Sequence, residues 1–362
     1  MLIRPKKNIA ELYRIPNSSL ERYEYLRLDK NENVIGFSEE VLDDFRAMMT
    51  SDFITTYPDV YPLYQVLGKS LGVRTSQLYL SAGSDGAIKS TFEVYVEPHD
   101  EVLLIHPTYA MFYVYAKMFQ AKALQLSYDK NLCLSAEKVL EKMSRMTRLV
   151  CIANPNSPTG TIFSQQDVET IVETARNNGT LVLVDEAYYH YCGQSVIDLL
   201  NVYDNLIITR TFSKAFGLAS ARLGYIVSSE RIIADLLKVR PMYEVNSFAV
   251  RLGIYLLEHP NLISDHVEQV CQAKSFTENV LFEMGLQVSR SYANFVLINV
   301  GGREKSAKIA ELMYREKILI KCGFEEPCLE PYIRVGLGSV NQMAFFIEKL
   351  KLVLRELSQP KP

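Results

Sequence analysis

The stretch Thr209-Arg-Thr-Phe-Ser-Lys-Ala-Phe-Gly-Leu218 sets a lysine, Lys214, in a turn of small and hydroxyl residues directly after the apolar run Leu206-Ile-Ile-Thr209. An isolated lysine is ordinarily a solvated surface residue. Away from water and close to other cations its charged form is disfavoured, and the neutral amine can attack an aldehyde and hold it as a Schiff base. Arg222, a little further on, supplies a fixed cation suited to a phosphate.

Outward from this turn, short apolar runs alternate with helical patterns. The runs are Leu78-Tyr-Leu-Ser81, Glu101-Val-Leu-Leu-Ile105, Ala123-Leu-Gln-Leu126, Arg148-Leu-Val-Cys-Ile152, Leu181-Val-Leu-Val184, the run ending at Thr209, and Gly224-Tyr-Ile-Val227. Residues 87–96 and 164–177 read as helices, the second with Ser164 and Asp167 placed to cap its start. Such alternation predicts an α/β fold, a three-layer α/β/α domain around a mostly parallel sheet. Beyond Pro241 the pattern changes to a long helical stretch over 248–284. Separated strand candidates follow at Asn294-Phe-Val-Leu-Ile-Asn299, Ile318-Leu-Ile-Lys321 and Tyr332-Ile-Arg-Val335, then a last helix over 341–357. This predicts a smaller α+β domain with antiparallel strands. The expected division is a large domain over residues 45–240 and a small one over 1–44 and 241–362, the first forty residues carrying no strand of their own.

Three further features follow strand candidates, where open sheets bind ligands. Ser81-Ala-Gly-Ser-Asp-Gly86 closes one strand and opens a helix, leaving backbone N–H groups free for a phosphate; alone, it marks only a helix start. Asp185-Glu-Ala-Tyr188 puts a carboxylate at the end of an all-apolar strand. There it needs a partner such as a protonated ring nitrogen, unless it simply caps the next helix. Asn154-Pro-Asn-Ser-Pro-Thr-Gly160 is a rigid turn whose amide or hydroxyl groups can face the same crevice.

Composition excludes several alternatives. A formal net charge of -3 with scattered basic residues provides no field for nucleic acid. No run reaches the roughly 18 apolar residues of a membrane span, and six dispersed cysteines fit reduced thiols, so a cytoplasmic protein is expected. The five histidines show no metal-binding spacing, and no metal is predicted. Gly-x-Ser-x-Gly, Walker A and Gly-x-Gly-x-x-Gly motifs are absent, which removes the anchors of hydrolase and nucleotide readings.

Taken together, the phosphate nest, the polar turn, Asp-x-x-Tyr and Ser-Lys with its downstream arginine resemble the fold-type I aminotransferases that use pyridoxal 5'-phosphate (PLP). Among these the chain most resembles the histidinol-phosphate aminotransferase family. Leu28-Asp-Lys-Asn-Glu-Asn33, Thr56-Tyr-Pro58, His106-Pro-Thr-Tyr109, Ala293-Asn-Phe295 and Ile333-Arg-Val-Gly336 look like further landmarks of that family. The resemblance implies that Lys214 holds the cofactor and shuttles a proton, that Asp185 pairs with the ring nitrogen, and that Tyr188 donates to the ring oxygen. It implies that Tyr109 stacks on the ring and that Ser84, Asp85, Ser213 and Arg222 hold the phosphate. Tyr57 would reach the phosphate of a neighbouring subunit in a homodimer, and Arg334 would bind the substrate's anionic group. Ser157 stands where the family has asparagine, leaving Asn156 or Ser157 for the ring oxygen; Gly86, Thr56 and Lys321 replace a common glutamate and two arginines. Lys321 can bind an anion only as a point charge.

The expected reaction is transamination of a small amine or amino acid bearing phosphate or carboxylate, with a 2-oxo acid acceptor. The best single guess is histidinol phosphate with 2-oxoglutarate. The same residues would serve a decarboxylase of a phosphorylated amino acid, and a non-catalytic PLP-binding protein is a third possibility.

Overall fold

The computed structural model describes residues 3–12 and 21–358. Its first eight strands in chain order are β1 (Leu26–Arg27), β2 (Leu78–Ser81), β3 (Glu101–His106), β4 (Lys122–Ser127), β5 (Thr147–Ala153), β6 (Leu181–Asp185), β7 (Leu206–Thr211) and β8 (Gly224–Ser228). Four more follow: β9 (Val288–Ser289), β10 (Phe295–Asn299), β11 (Ile318–Leu319) and β12 (Tyr332–Gly336). Strands β2 to β8 form one sheet in the order β2-β8-β7-β6-β5-β3-β4, with only β8 antiparallel to its neighbours.

Alternation along the central strands explains the three layers. Leu149, Cys151, Leu183 and Ile207 enter one core with Ile88 and Phe92, whereas Val150, Ile152, Val182 and Ile208 enter another with Val168 and Val172. Successive side chains of a strand point to opposite faces, so strands apolar at every position bury both. The helix Gln165–Asn178 begins on the expected reciprocal cap between Ser164 and Asp167 and ends on Gly179 in the left-handed conformation (φ 76°).

Three expectations change. The stretch over 248–284 is two helices, Ser247–Glu258 and Pro260–Glu283, broken at His259. Pro260 lacks an N–H and disfavours helical backbone in the residue before it, and His259 stands at φ -119°, ψ 63°. The N-terminal residues do contribute a strand: β1 pairs with β11 in parallel, so not all the later strands are antiparallel. A third sheet, β12-β10-β9, is antiparallel throughout. Val41 and the helix Ser247–Glu258, on the small-domain side of the expected boundaries, pack in a core with Phe45, Leu63, Leu78 and Tyr225 on the large-domain side.

Two close approaches position the site. Leu28 threads between β11 and β12, donating its N–H to Leu319 O (2.8 Å) and accepting from Gly336 N (2.7 Å). Gly224, opening β8, lies so near the start of the helix Gly83–Tyr95 that a Cβ there would stand 2.3 Å from the Gly83 carbonyl carbon and 2.4 Å from Ser84 N. Gly224→Ala is therefore expected to destabilise the fold by about 1–3 kcal/mol, because backbone must move to admit the methyl group. An unchanged midpoint in urea unfolding would contradict this.

Candidate active site

The C-terminal ends of β5, β6 and β7 converge on a cavity. Asp185 ends β6, 4 % exposed, and accepts a hydrogen bond from Thr209 Oγ1 (2.8 Å), its partner in the parallel register. Burial pushes its carboxyl up to about 7; the Thr209 bond and the Lys214 charge pull downward, and Glu186 and Asp85 push up. Its neighbour Glu186 is already matched, since Arg210 reaches it through Nε (2.9 Å) and Nη2 (2.8 Å) while Val196 N and Ser195 Oγ donate to the same carboxylate. Asp185 has a charged demand still open.

The turn after β7 is tied by backbone bonds from Phe212 N to Leu223 O, Leu218 N to Phe212 O and Gly217 N to Lys214 O. Phe212 and Phe216 anchor it in the core, and the half-buried Lys214 donates from Nζ to Lys30 O (2.9 Å), 5.6 Å from the centre of the Tyr188 ring. Across the cavity stand Ser84 and Asp85, in the first turn of the helix Gly83–Tyr95, with Ser213 and Arg222. Ser213 Oγ is buried without a partner. Gly83 has a left-handed φ of 77°, and a Cβ on it would stand 2.8 Å from Arg222 Nη2, so its bare backbone lets the guanidinium lie against the helix start.

Tyr188 lines the cavity with its hydroxyl accepting from Asn31 Nδ2 (2.9 Å). Burial alone would raise this phenol's pKa, but Lys214, Arg334 and hydrogen bonds from Asn31 and Ser157 outweigh it and hold it below its ordinary value. Tyr109 and Ser157 complete the lining among the expected residues. Burial raises the Tyr109 phenol well above its usual range, which suits a ring used for its face. Arg334, on β12, donates from Nη1 to Ser157 Oγ (3.2 Å) and from Nη2 to Asp29 O (2.7 Å), with Nε buried and unpartnered.

Three expected residues stand elsewhere. Asn156 does not line the cavity: its amide donates to Pro107 O and Thr159 Oγ1, and its oxygen accepts from Thr108, so it is spent on the turn. Tyr57 is 73 % exposed, stacked on Tyr243 at 4.2 Å. Lys321 pairs with Arg334 through the backbone and is exposed. Sequence reasoning assigned no role to Asn31, Thr209 or Asn294. Only Thr209 carried a local signal, as the register partner of Asp185; Asn31 meets Tyr188 from 157 residues away.

The family model for aminotransferases of class I and II matches residues 26–350. The chain belongs to the class I and II aminotransferases. It is 33% identical over 333 residues to histidinol-phosphate aminotransferase 1 of Carboxydothermus hydrogenoformans, covering 91% of this chain and 93% of that one. It is 29% identical over 351 residues to the histidinol-phosphate aminotransferase of Clostridium novyi, covering 96% of each. The crystal structure of histidinol-phosphate aminotransferase from Sinorhizobium meliloti in complex with pyridoxal-5'-phosphate shares the fold, with a TM-score of 0.89, 24% identity and 99% of each chain covered.

The enzyme is a PLP-dependent aminotransferase, and its residues fit that cofactor. The unpartnered Ser213 hydroxyl, the helix start and Arg222 suit a phosphate, while the raised Asp185 carboxyl suits a ring cation. In the cofactor-free enzyme a carboxyl pKa raised on folding costs stability as pH climbs from about 4 to about 7, by up to about 1.4 kcal/mol per unit. Asp185→Asn removes this slope. Urea unfolding of the two apoenzymes at several pH values should show the stability gap shifting toward the variant as pH rises through that window; parallel curves would refute it.

Proposed function

We propose that this aminotransferase acts on histidinol phosphate, with 2-oxoglutarate as acceptor, as a cytoplasmic homodimer whose active sites are shared. The observation that carries the substrate class is Arg334: a partly buried guanidinium whose hydrogen-bond partners are the neutral Ser157 hydroxyl and Asp29 carbonyl, its buried Nε–H without a partner. Burial lowers its pKa, so an incoming anion would relieve the desolvation of its charge. Lys321, paired to it through the backbone, adds a second cation. The relatives from Carboxydothermus and Clostridium, both named histidinol-phosphate aminotransferases, support phosphate as that anion.

PLP, when bound, supplies an electron sink for the carbanion next to the substrate's amine. The chain's residues do the rest. Lys214 would hold the cofactor and move the proton at the substrate carbon. Asp185 keeps the ring nitrogen protonated, Tyr188 and Ser157 bind the ring oxygen, and Tyr109 packs on the ring face. Ser213, Arg222 and the backbone amides of Ser84 and Asp85 hold the phosphate. With Asn156 committed to its own turn, Ser157 is the residue of that loop left to reach the ring oxygen. Tyr57 serves a second copy of the chain; it is exposed and stacked on the exposed Tyr243, as an aromatic pair covered in a dimer would be. The six unpaired cysteines suit a reducing compartment. No observation favours the decarboxylase.

Lys214→Ala is expected to lower turnover of histidinol phosphate by at least about 10²–10⁴-fold, because the proton-transfer group is gone. Rapid mixing of the PLP form with the amine, followed by absorbance, measures it; wild-type rates in the variant would end the proposal. Arg334→Ala should reduce kcat/KM for histidinol phosphate by about 10–100-fold, the worth of one or two charge-assisted hydrogen bonds, and far less for histidinol. Equal losses on both substrates would remove Arg334 from the anion site. A fully active monomer in sedimentation would contradict the shared site.

A further inference from the structure

We infer that Asn31 is a positioning residue that turns the Tyr188 hydroxyl into a donor facing the cofactor, an inference that rests on the proposed contact between Tyr188 and the ring oxygen. A phenol has one hydrogen to give and lone pairs to accept with. Asn31 Nδ2 donates to the Tyr188 oxygen at 2.9 Å, both residues being buried at 2 % and 7 % exposure. With that lone pair taken, the hydroxyl hydrogen must point elsewhere. Lys214 and Arg334, the cations whose charges act on this phenol, have no side-chain acceptor to offer. Ser157 Oγ accepts from Arg334, and its contact with the phenol is one that favours the ionised form, so there it gives its own hydrogen and takes none. The remaining direction is the cavity that Tyr188 lines.

Asn31 is held for this task from three sides. Its backbone is left-handed at φ 57°, and its carbonyl accepts from Asn294 Nδ2 (3.1 Å). The two residues before it are also committed to the site: Asp29 O accepts from Arg334 Nη2 and Lys30 O from Lys214 Nζ. The Asp29 carboxylate is gripped by both Nη atoms of Arg22 at 2.8 Å each. These backbone and ion-pair contacts already secure the segment, so the Asn31 side chain is not needed to hold it down.

The test uses the PLP-loaded enzyme and two substitutions compatible with left-handed backbone. Asn31→Asp replaces the donor by a carboxylate that accepts the phenol hydrogen and turns it away from the ring; Asn31→Gly removes the side chain. The readout is the pH midpoint of the cofactor's absorbance change, with thermal melting as the check on folding. Tyr188→Phe should displace the midpoint, and Asn31→Asp should displace it in the same direction by on the order of one pH unit. Asn31→Gly should produce a smaller displacement with the melt preserved. In a Tyr188→Phe background Asn31→Gly should add nothing, because its effect passes through the missing hydroxyl, and Asn31→Asp should keep only the smaller part due to its charge. Wild-type midpoints in both Asn31 variants, or shifts that persist undiminished without the Tyr188 hydroxyl, would overturn the inference while leaving the Tyr188 contact standing. An unmoved midpoint in Tyr188→Phe alone would overturn that contact and the inference together.

Discussion

The site depends on one uncompensated charge, the Asp185 carboxylate at the end of a strand apolar on both faces. Burying a carboxylate without a cation is among the most unfavourable arrangements a fold can hold, and here burial lifts its pKa to about 7. Arg210 is occupied by Glu186, one residue further along the chain. Lys214 is the cation whose charge acts on Asp185, and it lowers the carboxyl's pKa less than burial raises it. The parallel register of β6 and β7 then sets the Thr209 hydroxyl against it and starts the Lys214 turn on the same side of the sheet.

Around this charge stand two proposed anion sites of different construction. The phosphate side is built from backbone, a helix start brought against β8 by the absence of a side chain at Gly224 and laid open to Arg222 by the absence of one at Gly83. The proposed substrate side is a side-chain site, a single partly buried guanidinium carried on β12. Backbone amides are fixed in number and direction, which suits a permanent ligand. A guanidinium with N–H groups to spare suits an anion that arrives and leaves with each turnover.

The segment 29–31 joins these parts. It is held between β11 and β12 through Leu28 and offers successive groups to Arg334, Lys214 and Tyr188. Arg334, Lys214 and Tyr188 are thus braced by three consecutive residues. A displacement of the small sheet relative to the large one would be felt at all three groups together.

Much of this was legible from local pattern. Six strands of the large sheet follow from apolar runs bounded by turns, because a strand buried on both faces needs apolar side chains at nearly every position; β4, at the edge and largely exposed, follows from its alternation instead. The Asp185, Lys214 and Ser84 positions followed because each ends a strand or opens a helix. Short pairings were not legible: β1 and β9 have two residues each, too few to show alternation, and the partner of β1 lies far along the chain. Nor could the choice between Asn156 and Ser157 be made, because adjacent residues in a turn share every local signal.

What the sequence determined by itself was the chemistry on offer: an amine, a carboxylate, a phosphate nest and an arginine, each at the end of an element whose period reveals it. What only the tertiary structure decided was how those groups are paired. Asn156 is spent on Thr108, Pro107 and Thr159, Ser157 faces the cavity, and Asn31 holds Tyr188 across 157 residues of chain. The physical reason is that hydrogen-bond directions depend on distance and angle in space, which no spacing along the chain encodes.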